Sequence, residues 1–252
     1  MTSPVRLVFV SNDRRWSAFS LFNANDFPSD LSTVVNTCGD RFALIGFHAH
    51  LAARQENEDV DRFLAALSSQ GDALIEGLKQ PSTLTYVACY HSIELMSSMS
   101  GTLYTVKAFL DVLAQLLARL VDPQQKRMTF RRATIDGREC SGGRLIKWLN
   151  GQNTEKHPHA RPLAKWVLEN SLDWITEATS YRDLLSHDAP NGFVEMSTPL
   201  QRSEPVYSRS TISRATVPNG ATVGDYCEAC RNRMHQFVSG TLEILPGLGR
   251  QA

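Results

Sequence analysis

The 252-residue chain has no run of about 18 apolar residues, so no membrane-spanning helix is predicted. Its start, Met1-Thr-Ser-Pro-Val-Arg-Leu-Val-Phe-Val10, has too short an apolar stretch and no small-residue cleavage pattern for a signal peptide. It reads as a first β-strand, and a cytoplasmic protein is expected. Net charge is also lacking, with 26 basic against 26 acidic residues. That argues against a surface devoted to coating nucleic acid, while permitting a local basic patch. Lys126-Arg127 with Arg131-Arg132 is one candidate patch, and an exposed solvated loop is its plainer reading. Cysteine is sparse and odd in number, five in all, which is not a disulfide framework. Cys227-Glu-Ala-Cys230, with His235 nearby, has the spacing of half a zinc site, but no second Cys-x-x-Cys completes it. The two cysteines read as small residues on a helix face. There is no internal repeat and no low-complexity segment.

What is present is helical periodicity in four segments. The first runs from about Asp59 to Lys79, with Val60, Phe63, Leu64, Leu67, Leu74, Ile75 and Leu78 on one stripe, and breaks at Gln80-Pro81. The second runs from about Ser82 to Val121 and would span about 60 Å. Ser97-Ser98-Met99-Ser100-Gly101 near its middle would admit a close neighbour or a kink. The third runs from about Pro162 to Ser186, with proline as its start signal. The fourth starts at Asp225, where Asp-x-x-Glu resembles a capping box, and stops at Pro246-Gly247.

Asp136-Gly137 is a hairpin turn signal between Ala133–Ile135 and Arg138–Cys140. Phe193–Ser197 and Val206–Val217 read as short strands between the third and fourth helices. The expected architecture is mainly α: an up-down four-helix bundle. A small β insertion at about 190–220 separates helices three and four. Residues 1–57 read as an irregular N-terminal extension of strand and loops, and 58–252 as the helical domain.

Tyr181-Arg182-Asp183-Leu184-Leu185-Ser186-His187 closes the third helix. Arginine keeps its charge and grips phosphate with a rigid fork of donors, and histidine moves protons near neutral pH. Together they supply what phosphodiester cleavage needs without a metal: a proton shuttle and a cationic clamp. Asp183 and His187, four apart, share a helix face. Short motifs recur by chance, and Arg41–His48 is a second match. It sits in a segment read as irregular and apolar, where His48 is expected to be a packed or capping residue.

A bundle with a very long second helix, and Arg-[polar]-x-x-x-His closing the third, resembles the HEPN superfamily. Its hallmark is Arg-x(4–6)-His, commonly with Asn, Asp or His after the Arg, and Arg182-Asp183-Leu-Leu-Ser-His187 fits it. The resemblance covers roughly residues 58–247. It implies a metal-independent endoribonuclease acting as a homodimer, with the two motifs meeting across the interface and no cofactor. His187 would be base on the ribose 2′-OH or acid at the 5′-oxygen, with its symmetry mate in the other role. Arg182 would stabilise the phosphorane, Asp183 would orient one of these groups, and products would carry 2′,3′-cyclic phosphates. Tyr181, Ser186, Tyr90, His91 and Arg231 are candidate RNA-binding residues. Tyr86, Glu94 and Tyr226 are also expected near the pole bearing His187. Toxin, defence and stress nucleases belong to this superfamily, so an antitoxin or regulatory protein is a conceivable partner. The chain departs from the toxin subgroup whose motif continues His-x-Tyr, because His187-Asp188-Ala189 lacks that tyrosine.

Two alternatives stay open on the sequence. One is a non-catalytic helical module for protein or RNA binding, in which Arg182 pairs with Asp183 or Glu177 and His187 caps the helix. The other is a metal-dependent hydrolase using His157-Pro-His159 with His48-Ala-His50.

Overall fold

Val35, Cys38, Phe42, Ile45, Ala49 and Ala52 recur at three- and four-residue steps and are all buried, as are Val60, Phe63 and Leu67 further on. Between the two groups the same stripe is carried by Gln55, Glu56 and Asp59, polar yet buried. Together they define one 46-residue helix, α1, Ser32–Gly77. The computed structural model describes residues 21–22, 27–77, 86–125, 127–187, 195–200 and 207–245. The side chains of 71, 72, 74–77, 86, 187 and 200 also fall outside that description.

Strand β1, Tyr86–His91, follows, then α2, Ile93–Val121, and the hairpin β2, Ala133–Ile135, with β3, Arg138–Cys140. Next come α3, Gly143–Asn150, and α4, Ala160–Asn170. A π-helical turn at Ser171–Ile175 leads from α4 into α5, Thr176–His187. Strand β4, Glu195–Leu200, and α6, Val223–Ile244, complete a mainly helical chain.

Contacts fix the directions of the helices. Asp59 meets Ser92, the ring of His48 lies over Gly101, Phe42 packs on Phe109 at 5.6 Å, and Asp30 pairs with Arg119 at 3.1 Å. Numbers rise on α1 as they fall on α2, so the two are antiparallel. Gly101 has no room for a Cβ because the imidazole occupies that space, which makes it the close-approach site expected from the small residues at 97–101. Helix α6 is antiparallel to α4–α5: Trp166 Nε1 donates to the Phe237 carbonyl at 3.0 Å, and the tilted rings of Tyr181 and Tyr226 pack with centroids 5.3 Å apart.

Two acids of α1 tie the other helices to it. Ser92, the N-cap of α2, accepts from Leu95 N and donates to Asp59. Thr222, the N-cap of α6, accepts from Asp225 N and donates to Glu56 at 3.1 Å. Glu56 also accepts from Gly224 N at 3.2 Å, so a carboxylate faces the positive end of α6.

Several expectations are corrected. Residues 32–57 are helical rather than loops: their apolar stripe from Val35 to Ala52 continues into the later one through buried polar Gln55, Glu56 and Asp59, which hide the continuity. The strand read at residues 1–10 lies outside the described residues. The second helix starts at Ile93, not Ser82, because Tyr86–His91 pairs antiparallel with Glu195–Leu200. Tyr86, Val87 and Tyr90 of β1 suit that pairing. The β segment after α5 therefore joins β1 rather than forming a separate insertion. Of the strand read at Val206–Val217, the described part keeps only the bridges Ser197↔Ser213 and Thr216↔Thr222. Helix α3 and the π turn were not expected. The fourth helix is capped by Thr222, with Asp225 in its first turn. The hairpin has its expected bounds, with Asp136 and Gly137 both at positive φ as a tight turn requires. Among the described residues no helix is long and apolar enough to cross a membrane.

Removing either cap hydroxyl, by Ser92→Ala or Thr222→Ala, is expected to lower unfolding free energy by about 1–2 kcal/mol in urea titration. Burial raises the Glu56 carboxyl above its ordinary pKa, against the opposing pull of Thr222, Arg214 and Gly224. The folded chain therefore holds that proton more tightly than the unfolded one. Its contribution is present below the ordinary carboxylate pKa and is lost as pH rises through the raised value. Glu56→Gln should flatten this part of the stability-versus-pH curve.

Candidate functional site

The end of α5 carries Arg182 and Asp183, and α5 closes at His187. The side chain of His187 lies outside the described residues. Asp183 is shared between two guanidiniums: Arg182 reaches Oδ1 at 2.7 Å and Arg132 reaches Oδ2 at 3.1 Å. All three side chains are about one-third exposed or less shielded than core, at 27%, 36% and 34% for Arg182, Asp183 and Arg132. Two cations sharing one anion leave a net positive spot at the surface. Asp183 thus positions arginines.

Arg132 is held there by contacts on both sides of it in sequence. Asp111 of α2 accepts from Phe130 N at 2.8 Å and pairs with Lys107 at 2.6 Å, which pins the chain before Arg132. After it, the end of the hairpin is tied to α5: Ser141 N donates to Thr176 Oγ1 at 3.0 Å, and Ser141 and Thr179 hydroxyls bond at 2.6 Å. Ser171, the first residue of the π turn, donates to the Ser141 carbonyl. Arg132 also donates to Ser180 Oγ at 3.0 Å. Of the basic patch read in the sequence, Arg132 is therefore an ordered member of this cluster, and Lys126 lies outside the described residues.

On the other side stands Tyr104 of α2. Ser186 donates to the Arg182 carbonyl at 2.8 Å, so its oxygen is left to accept from the Tyr104 hydroxyl at 2.6 Å. The Arg182 guanidinium carbon lies 5.9 Å from the Tyr104 ring centroid, at the outer range of a cation–π contact. Arg182 Nε is buried without a hydrogen-bond partner.

The remaining sequence candidates separate. Ser186 is in the cluster. Tyr181 is buried against Tyr226, so both serve packing, and burial raises both phenols. Tyr90 stacks on Phe63 and donates to Asp59 at 3.4 Å, beside the cap of α2. His91 is exposed, 3.8 Å from Glu195, and Arg231 pairs with Glu228 at 2.7 Å. No direct contact joins Tyr90, His91 or Arg231 to Arg182 or Asp183 among the described residues. Arg132 and Tyr104 were missed as site residues. The one signal for Tyr104 is that it stands off the apolar stripe carried by Leu103 and Val106.

His48 of the competing match is packed over Gly101, and burial lowers its pKa. Cys227 and Cys230 are buried, and burial pushes both thiols up, away from the reactive thiolate. Among the described residues no group of three or more His, Cys, Asp or Glu is arranged to hold a metal ion. A cleft of about 380 Å³ opens on the other side of α5, where Asp173 pairs with Arg233 at 3.6 Å and Glu177 accepts from Asn219 at 3.2 Å. It is not lined by motif residues. Comparison of the chain with family models, with curated proteins and with solved structures found no match.

Asp183→Asn should free both guanidiniums from a full negative charge. We expect a stability change below about 1 kcal/mol, because partly exposed ion pairs contribute little. Retention on immobilised heparin should shift to higher salt; unchanged elution would mean that Asp183 does not mask these cations.

Proposed function

We propose that this protein is a HEPN-type, metal-independent endoribonuclease that works as a homodimer in the cytoplasm. The observation that carries the reading is the ordered Arg182–Asp183–Arg132 cluster at the end of the helix that His187 closes. The alternating directions of α1, α2, α4–α5 and α6 support an up-down four-helix bundle of the HEPN kind. So does the approach of the end of α5 to the start of α6 through Tyr181–Tyr226 and to α2 through Tyr104–Ser186.

In this reading the ribose 2′-oxygen attacks phosphorus and the bond to the 5′-oxygen breaks. One His187 takes the 2′ proton, and His187 of a second copy gives a proton to the leaving 5′-oxygen. Two copies are needed because one imidazole does not serve both sides of one phosphate at once. Arg182, backed by Arg132, stabilises the negative charge gathering on the phosphorane. RNA is the substrate, and an antitoxin-like regulator is a compatible partner.

A non-catalytic helical module is the second reading. The mutual pairing of Arg182 and Asp183 at 2.7 Å favours it, since a paired guanidinium has less to offer a phosphate.

Cleavage of RNA should survive EDTA and fall about 10²–10⁴-fold in His187→Ala and about 10²–10³-fold in Arg182→Ala, with both variants folded and dimeric. Activity that requires a divalent ion, or that persists in the double variant, contradicts the mechanism. An intact dimer that cuts no RNA favours the interaction module.

A further inference from the structure

We infer that Tyr104 is a stacking platform for an unpaired nucleobase next to the phosphate held by Arg182. The inference rests on the ribonuclease reading above and deepens it.

Tyr104 is 46% exposed, although its helix neighbours Thr102, Leu103, Thr105 and Val106 are all buried. An isolated exposed aromatic is ordinary and needs no explanation. This one differs because its orientation is fixed. Its hydroxyl is bonded to Ser186, Ser186 is bonded to the Arg182 carbonyl, and the Arg182 guanidinium lies over one face of the ring, so a base would stack on the opposite face. The phenol is thereby tied to the same turn of α5 that presents the cation. Packing does not require that tie, since Tyr104 is no part of the buried core.

A fixed, half-exposed ring next to paired guanidiniums has the two elements by which proteins hold single strands: a π-face for the base and cations for the backbone. A base in a duplex is stacked on its neighbours and does not present its face to such a ring, whereas bases in loops and single strands do. Arg132, on the far side of Asp183, extends the positive surface along which the strand would run. The second cation and the ring come from different elements, the hairpin approach and α2, and both converge on α5.

The test is fluorescence-anisotropy binding of the full chain to a short single-stranded 2′-O-methyl RNA, which cannot be cut, and to versions abasic at each position in turn. Tyr104→Ala should bind about 5- to 100-fold more weakly than wild type, with its melting temperature unchanged, and Tyr104→Phe, which keeps the π-face but loses the tie to Ser186, should bind between the two. One abasic position should weaken wild type by a similar factor and leave Tyr104→Ala unaffected. If Tyr104→Ala binds as wild type does, or if the abasic loss adds in full to the Tyr104→Ala loss, the platform is refuted. When wild type still cuts unmodified RNA in that case, the ribonuclease reading stands without it. If the chain neither binds the oligomer nor cuts RNA, both fall together.

Discussion

The structure depends on two buried carboxylates one helical turn apart on α1. Asp59 holds the hydroxyl that caps α2, and Glu56 holds the hydroxyl that caps α6. A helix start leaves backbone donors unsatisfied, and burying them unpaired is costly. Here the caps satisfy those donors, and the caps are themselves anchored to a third helix. The starts of α2 and α6 are thereby set against the same stretch of α1. Burial of Glu56 has its own cost: Oε1 finds no hydrogen-bond partner, and the carboxyl is held above its usual pKa. Gly224 follows from the same constraint, since a Cβ there would run into the Glu56 carboxylate and the Ala53 backbone.

The end of α5 reaches the start of α6, where Tyr226 packs on Tyr181, and a point eleven residues into α2, where Tyr104 meets Ser186. Adjacent residues of α5, about 100° apart round the helix, face different neighbours, with Tyr181 turned into the core and Arg182 toward Tyr104 and Asp183. The π turn and the hairpin add the second arginine. Ser171, Thr176 and Thr179 grip Ser141, and the hairpin so fixed brings Arg132 onto Ser180 and Asp183. π-Helical turns recur at functional sites, and this one takes part in joining two segments far apart in sequence.

How much of this was legible in the sequence varies with how local the determinant is. The Asp136-Gly137 hairpin could be read because its turn needs two residues at positive φ and names them. Most of α2 and α6 could be read from one-sided apolar periodicity. The first half of α1 went unread although Val35, Cys38, Phe42, Ile45, Ala49 and Ala52 recur at helical steps; the apolar stripe then breaks at Gln55, Glu56 and Asp59, which join it to the second half only once Ser92 and Thr222 are in place. Strand β1 was hidden because Tyr86 and Tyr90 are four apart, as on a helix, while its pairing partner β4 lies more than a hundred residues away. At the site, Arg182 and Asp183 stood out by motif. Arg132 did not, since its place depends on Asp111, Ser141 and Ser180, each from a different segment.

The chemistry of the RNA ends tests the central claim most directly. Incubating the purified protein with a defined single-stranded RNA in EDTA, and weighing the fragments by mass spectrometry, reads which oxygen attacked phosphorus. Attack by the 2′-oxygen, assisted by His187 and clamped by Arg182, gives 2′,3′-cyclic phosphate and 5′-hydroxyl ends. Fragments with 3′-hydroxyl and 5′-phosphate ends, or RNA left whole by a folded dimer, would contradict the account.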